Sequence, residues 1–173
     1  MTMSKTIFAL SSGAGVAGVA VIRISGPCAG RAFAELATDT SLEPGRVRLV
    51  RLRDPKTEIL LDRAIALYFK GPSSFTGEDV VELHVHGGVA VIEAILSALS
   101  DIDGLRQAGA GEFTRRAFDN GKLDLTEAEG LADLLAAQTE GQRQQAIRQM
   151  DGALRARYEA WRKSLIQHLA HLE

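Results

Sequence analysis

The sequence predicts an α+β fold, in which an N-terminal mixed sheet with helices is followed by long C-terminal helices. Short runs of β-branched and apolar residues, separated by glycine and proline turns, fill the first part of the chain and are typical of strands. Apolar residues three and four positions apart fill the last part and are typical of helices. A length of 173 residues suits one domain with an appended segment.

Composition narrows the class of protein. Hydrophobic residues make up 46% and charged residues 24%, which is ordinary for a soluble globular protein. No apolar run approaches the roughly 20 residues that span a bilayer, so no membrane association is expected. Cys28 is the single cysteine and cannot form an intramolecular disulfide, which favours the reducing cytoplasm. A net charge of -2 argues against an autonomous, strongly electrostatic nucleic-acid binder.

The first elements are two strands joined by a glycine-rich loop. Residues 5–10 and 19–25 read as strands, and residues 11–18 between them as a loop. The loop superficially resembles G-x-G-x-x-G, but it leads into a strand rather than a helix, which excludes a dinucleotide fingerprint. No G-x-x-x-x-G-K-[ST] motif occurs either, so the chain is not expected to bind GTP by itself.

A helix over residues 29–37 and a hairpin of residues 46–53 and 60–69 are expected next. The first hairpin strand carries four basic residues, which form either a solvated strand face or an RNA contact: Arg46, Arg48, Arg51 and Arg53. Arg23, among apolar neighbours in the second strand, is either an edge residue in water or a carboxylate clamp. The residue pattern leaves both alternatives open.

The densest polar pattern lies in a strand over residues 79–86, which a helix over 89–99 follows. Side chains two apart share one face of a strand, so Glu82, His84 and His86 lie together while Val81, Leu83 and Val85 pack inward. Such a face is suited to a polar small molecule, to a metal, or only to solvent. A fourth metal ligand at a typical spacing is missing, so no metal is assigned.

The C-terminal part is predicted to be helical. Residues 111–120 form a short helix or turn, and Thr126 with Glu129 predicts a capping box that opens a helix reaching about residue 139. From about residue 142 to the end, one apolar stripe predicts a further helix: Met150, Leu154, Tyr158, Trp161, Leu165, Leu169 and Leu172. The stripe is intact at Glu173, so this helix is expected to be cut short there.

Three segments, residues 18–27, 75–88 and 111–129, together resemble the N-terminal region of the MnmE (TrmE) family of tRNA modification GTPases. The third, GEFTRRAFDNGKLDLTEAE, is long and distinctive. The resemblance covers nearly the whole chain and implies a folate-binding, dimer-forming domain over residues 1–121 and the start of a helical domain over 122–173. Ala110 stands where the family usually has proline.

The resemblance also implies function. Such proteins have an N-terminal domain similar to the folate-binding domain of glycine-cleavage aminomethyltransferase, bind a tetrahydrofolate derivative (5-formyl- or 5,10-methylene-tetrahydrofolate) and form homodimers. With the flavoprotein MnmG they modify C5 of the wobble uridine of tRNA, and a GTPase domain inserted into the helical domain uses GTP, Mg²⁺ and K⁺. This chain carries no GTPase motif, so it is expected neither to hydrolyse GTP alone nor to hold a catalytic residue. The alternatives are a metal-binding or a purely structural dimerisation module.

The resemblance sharpens the candidate ligand-binding residues. A carboxylate can accept two hydrogen bonds from the adjacent N–H and amino groups of a reduced pterin, and the candidates are Glu78, Glu82 and Glu112. A guanidinium group suits the anionic glutamate tail, and here the candidates are Arg23, Arg115 and Arg116. The remaining expected cofactor-binding residues are Thr76, Gly77, His84, His86 and Lys122.

Overall fold

A computed structural model describes residues 5–13, 15–37 and 42–170, with the backbone alone at residues 153–156. The chain divides into two compact units, Met1–Ala117 and Phe118–Glu173. The predicted boundary between residues 121 and 122 stays a prediction. The predicted α+β class is confirmed, because the described residues form a mixed six-stranded sheet and six helices.

The elements follow one another in an order close to the predicted one. In chain order they are β1 (Thr6–Leu10), β2 (Ala17–Ser25), α1 (Ala29–Leu36), β3 (Arg48–Arg53), β4 (Leu60–Phe69), β5 (Val80–Gly87), α2 (Val89–Ser100), β6 (Leu105–Gln107), α3 (Glu112–Asp119), α4 (Leu125–Ala136), α5 (Glu140–Met150) and α6 (Ala153–Leu169). None of the helices in the described ranges is long and apolar enough to cross a bilayer.

The sheet has the strand order β3-β4-β5-β2-β1-β6. Every neighbouring pair is antiparallel except β1 and β6, which run parallel. Strand β6 has no counterpart among the predicted elements. Its three residues are largely exposed and carry no apolar alternation, so pairing with β1 is what makes them a strand.

The hydrophobic core lies between α1, α2 and one face of the sheet. Alternate strand residues such as Ile22, Ile24 and Leu83 are fully buried and pack in one cluster with Phe33 of α1 and Ile95 of α2. Side chains alternate across a strand, so the intervening residues point the other way. We call this second side the open face; its members include Val21, Arg23, Leu49, Arg51, Arg63, Ile65, Glu82, His84 and His86.

The start of α4 differs from the predicted one. The capping box consists of Asp124 and Glu127, so the predicted box of Thr126 and Glu129 is wrong. Both pairs have the required spacing, but the Asp124 carboxylate accepts from the backbone N–H of Glu127 and also from the Thr126 hydroxyl, at 2.9 and 2.7 Å. The Thr126 side chain is therefore already engaged by the true N-cap residue.

The last predicted helix is interrupted. The α5 helix begins after Thr139, which forms a second capping box with Gln142, and ends at Met150. Gly152 then adopts a left-handed conformation with φ 79°, which breaks the helical path before α6. Tyr158, Trp161 and other stripe residues of α6 are exposed in the described part of the chain. The side chain of Leu154, with Leu172 and Glu173, lies outside the described residues.

Candidate functional site

An ion pair joins two strands at the centre of the open face. Arg23 on β2 lies directly opposite Glu82 on β5. The Arg23 Nε and Nη2 atoms lie 2.8 and 2.7 Å from Oε1 of Glu82. The two side chains are 25% and 17% exposed, so this pair is only partly shielded from water. Arg23 was expected either to lie in water or to bind a carboxylate. It binds a carboxylate, and that carboxylate belongs to Glu82 of the same chain.

Two aromatic rings flank the Arg23 guanidinium. Its carbon atom lies 5.3 Å from the ring centre of Phe75 and 5.6 Å from that of Phe113, within cation–π range. Phe75 comes from the loop before β5, whereas Phe113 is in the first turn of α3. Neither phenylalanine was among the expected site residues. Both phenylalanines lie in segments that resemble the family, and this was the feature of the sequence that could have identified them as site residues.

His84 lies beside the ion pair and has an unsatisfied ring nitrogen. Its Nε2 is shielded from solvent and has no hydrogen-bond partner among the described residues. The same atom is 3.6 Å from Oε2 of Glu82, which is too long for a hydrogen bond. A carboxylate offers about four acceptor positions, so Oε2 retains capacity beside the Oε1 that binds Arg23. A polar ligand that displaced the atoms covering Nε2 would find an acceptor and a ring nitrogen side by side.

A second set of charged residues joins the loop before β5 to α3. Arg116 on α3 is buried and donates to both carboxylate oxygens of Glu78 at 3.1 and 2.9 Å. It also donates to the carbonyl of Lys5 at 2.7 Å and to Glu112 at 3.2 Å. Arg106 donates to Glu112 at 2.8 Å. The guanidinium of Arg106, with burial acting against it, holds the pKa of Glu112 down at about 2.

Thr76 and Gly77 shape the turn that precedes β5. Thr76 is fully buried, and its hydroxyl lies 2.7 Å from that of Ser25. Ser25 donates in turn to Glu78 at 2.8 Å, which ties the turn to β2. Gly77 has φ 77°, a conformation that favours glycine. Thr76 and Glu78, with Gly77 between them, are thus held to the end of β2, where Ser25 lies two residues from Arg23.

His86, the last polar residue of β5, has its own carboxylate partner. Its Nδ1 lies 2.7 Å from Oδ1 of Asp62, and its backbone N–H donates to Oδ2 at 2.8 Å. Burial opposes ionisation of Asp62, yet the hydrogen bonds from His86 lower the pKa of this carboxyl. Glu82, His84 and His86 share one face of β5, as predicted. His86, however, is paired with Asp62 and not with Glu82 or His84.

The last two expected residues lie at the surface. Arg115 is exposed on α3, on a different side from the buried Arg116. Lys122 is exposed in the second unit. No group of three or more His, Cys, Asp or Glu side chains suited to a metal occurs among the described residues.

Comparison with known families identifies both parts of the chain. Residues 6–122 match the family described as the GTP-binding protein TrmE N-terminus, and residues 125–173 match the MnmE helical domain. Together these two matches span most of the chain, so it belongs to the MnmE (TrmE) family of tRNA modification GTPases.

Individual relatives agree. The chain is 59% identical over 169 residues to the tRNA modification GTPase MnmE of Parvibaculum lavamentivorans, covering 98% of this chain and 39% of the relative. It is 57% identical to the human mitochondrial 5-taurinomethyluridine-[tRNA] synthase subunit GTPB3, covering 97% of this chain and 34% of the relative. The chain thus spans well under half the length of these relatives.

Proposed function

We propose that the N-terminal unit binds a tetrahydrofolate derivative on its open face and forms a homodimer. The observation that carries the proposal is the Arg23–Glu82 pair, flanked by Phe75 and Phe113, with the unsatisfied Nε2 of His84 beside it. A planar, polar heterocycle suits such a place, because aromatic rings, a carboxylate acceptor and a ring nitrogen converge there.

Within this proposal the residues take different parts. Oε2 of Glu82 accepts from the adjacent N–H and amino groups of the pterin, and His84 bonds a further polar atom of the ligand. Arg23 orients Glu82. Glu78, Glu112, Arg116 and Thr76 act as positioning residues, because their polar groups already bind one another. Gly77 positions them by its backbone conformation. His86, Arg115 and Lys122 remain proposed ligand contacts on residue type alone.

Homodimerisation is supported by the exposed connection between β1 and β2 together with the exposed start of β2. Val16 is 87% exposed and Val19 is 59% exposed, which is unusual for two apolar side chains so close together. At Gly13 and Gly18 an added Cβ would meet nothing within 4 Å, so packing inside this unit does not demand glycine there. We propose that a second copy covers this connection. Val16→Asp with Val19→Asp should then yield a monomer in sedimentation, whereas Val89→Asp, at an exposed helix N-terminus, should not.

The family also supports a proposal for the wider role. The proposed role is to supply a one-carbon unit from 5-formyl- or 5,10-methylene-tetrahydrofolate, in the cytoplasm, for C5 modification of the tRNA wobble uridine together with MnmG. GTP, Mg²⁺ and K⁺ would serve a GTPase domain of the kind the family carries outside the region matched here. The proposal assigns neither GTP hydrolysis nor a catalytic residue to this chain.

Calorimetric titration with 5-formyltetrahydrofolate tests the proposal. Binding near one ligand per chain is expected, weakened at least roughly tenfold by Glu82→Gln, because a charge-assisted pair of hydrogen bonds is lost. Arg23→Ala and Arg23→Lys should also weaken it, and Lys should weaken it less. Glu93→Gln and Arg46→Ala, both on exposed side chains, are the matched controls. A folded protein that binds no folate would leave a purely structural dimerisation module.

A further inference from the structure

Two arginines face each other on the open face, and the described part of the chain supplies no neutralising partner for them. Arg51 of β3 and Arg63 of β4 are direct cross-strand partners, and both are exposed. Like charges directly opposite in an antiparallel pair destabilise the sheet. Among the described residues neither guanidinium forms an ion pair. Asp62, which precedes Arg63 in the sequence, accepts from the backbone N–H of Arg63 and lies 2.7 Å from Nδ1 of His86.

The other basic residues of this hairpin are already occupied. Arg46 and Arg48 pair with Glu43 at 3.0 and 3.3 Å. Arg53 donates to the carbonyl of Glu58 at 2.8 Å. Of the four basic residues of the first hairpin strand, only Arg51 therefore has no partner among the described residues. The fold places Arg63 opposite it. A pair of free guanidinium groups at neighbouring positions is suited to an anion with more than one carboxylate.

A row of three apolar residues and His84 lies between this arginine pair and the Arg23–Glu82 pair. Leu49 is the cross-strand partner of Ile65, Ile65 that of His84, and His84 that of Val21. Leu49 and Ile65 are 76% and 43% exposed, so the row offers apolar surface to a ligand. Residues on the same face of β4 are two positions apart, so neighbouring rows of side chains on the open face are about 7 Å apart along the strand. The open face thus runs from a polar cluster, across an apolar row, to a cationic pair.

We propose that Arg51 and Arg63 bind the carboxylates of the folate glutamate tail, so that the protein prefers folates with several γ-linked glutamates. This inference rests on the proposed folate function. A folate has the same order of chemistry as the open face, since a polar pterin is followed by an apolar benzoyl linker and then an anionic tail. Each added glutamate brings one more carboxylate to the two guanidinium groups.

The test compares 5-formyltetrahydrofolate with its γ-triglutamate by calorimetric titration at low and high salt. The triglutamate should bind roughly 5- to 20-fold more tightly at low salt, from two or three partly exposed ion pairs. The preference should shrink at high salt because these charges are screened. Arg51→Gln with Arg63→Gln should abolish most of it. The control, Arg46→Gln with Arg143→Gln, removes the same charge from two exposed, locally paired arginines and should retain it.

Different failures point to different parts of the inference. Equal binding of the two folates by the wild type, or an undiminished preference in the double variant, would overturn the tail site alone. Failure of the wild type to bind either folate would overturn the proposed function and the tail site with it. Dissociation of the dimer by Arg51→Gln with Arg63→Gln would assign the pair to a subunit contact instead. Dependence of tRNA binding on the pair, without any tail preference, would assign it to nucleic acid.

Discussion

Arg23 and Glu82 lie opposite each other on adjacent antiparallel strands, and two nitrogens of the guanidinium lie within 2.8 Å of one carboxylate oxygen. The arrangement leaves the second oxygen of Glu82 directed towards His84, without a hydrogen bond between them. A ligand that binds there does not have to break the ion pair. The ion pair therefore orients the Glu82 carboxylate, and the proposed ligand binds its second oxygen, Oε2.

The aromatic rings around Arg23 should matter for ligand binding. We expect Phe113→Leu to weaken 5-formyltetrahydrofolate binding by about 2- to 10-fold, since a cation–π contact of a partly exposed guanidinium is lost. Phe118→Leu, on the exposed side of the same helix, is the control. The measurement is a calorimetric titration. Equal effects of the two substitutions would show that the Phe113 ring beside Arg23 has no specific role in folate binding.

The Glu112 carboxylate should stabilise the fold in a pH-dependent way. Its pKa is about 2 in the folded protein against 4.5 ordinarily, chiefly because Arg106 donates to it. A depressed pKa contributes stability that is present above the ordinary value and is lost as the pH falls from about 4.5 towards 2. We expect Glu112→Gln to be less stable than the wild type by about 1–3 kcal/mol at pH 7. The difference should shrink as the pH falls from about 4.5 and should vanish only below the folded-state pKa of about 2.

Denaturant unfolding across that pH range measures the effect, and Glu140→Gln is its control. Glu140 has an equally low pKa, held down by Arg143, but it lies on an exposed helix. Exposed ion pairs contribute little to stability, so this variant should track the wild type at every pH. A constant difference between Glu112→Gln and the wild type down to pH 2 would contradict the proposed electrostatic origin.

The N-cap of α4 can be tested against the alternative that the sequence also allows. We expect Asp124→Ala to lower the stability of the helical unit by about 1 kcal/mol, because the backbone N–H of Glu127 loses its acceptor. Thr126→Ala should cost less than half as much. Thermal unfolding followed by circular dichroism compares them. A larger loss in the threonine variant would restore the capping box that the sequence pattern suggested.

Gly26 should be intolerant of any side chain. Its φ is 133°, and an added Cβ would lie 2.7 Å from the Thr6 hydroxyl and 2.8 Å from the Thr6 Cα. We expect Gly26→Ala to destabilise the protein by more than about 2 kcal/mol, because strain and a backbone clash combine. Gly30→Ala, in α1 with open space around it, should be neutral or stabilising by up to about 1 kcal/mol. Urea denaturation distinguishes these outcomes.

Local sequence patterns were sufficient for most of the elements. Strand β4 was predicted with its observed ends, and β5 and α2 within one residue, because apolar periodicity and glycine breaks are encoded locally. The common face of Glu82 and His84 likewise follows from strand alternation. The break at Gly152 was missed, because a glycine inside a periodic apolar stripe does not by itself distinguish a bend from a continuous helix.

The sequence by itself determined the α+β class, the family and the residue types from which a folate site is proposed. Only the tertiary structure decided which charges meet. Arg116 pairs with Glu78, His86 with Asp62, and Arg23 with Glu82, each across a long stretch of chain. The physical reason is that periodicity sets the direction of a side chain within its own element. Strand order and register set its neighbours, and these emerge only when the sheet assembles.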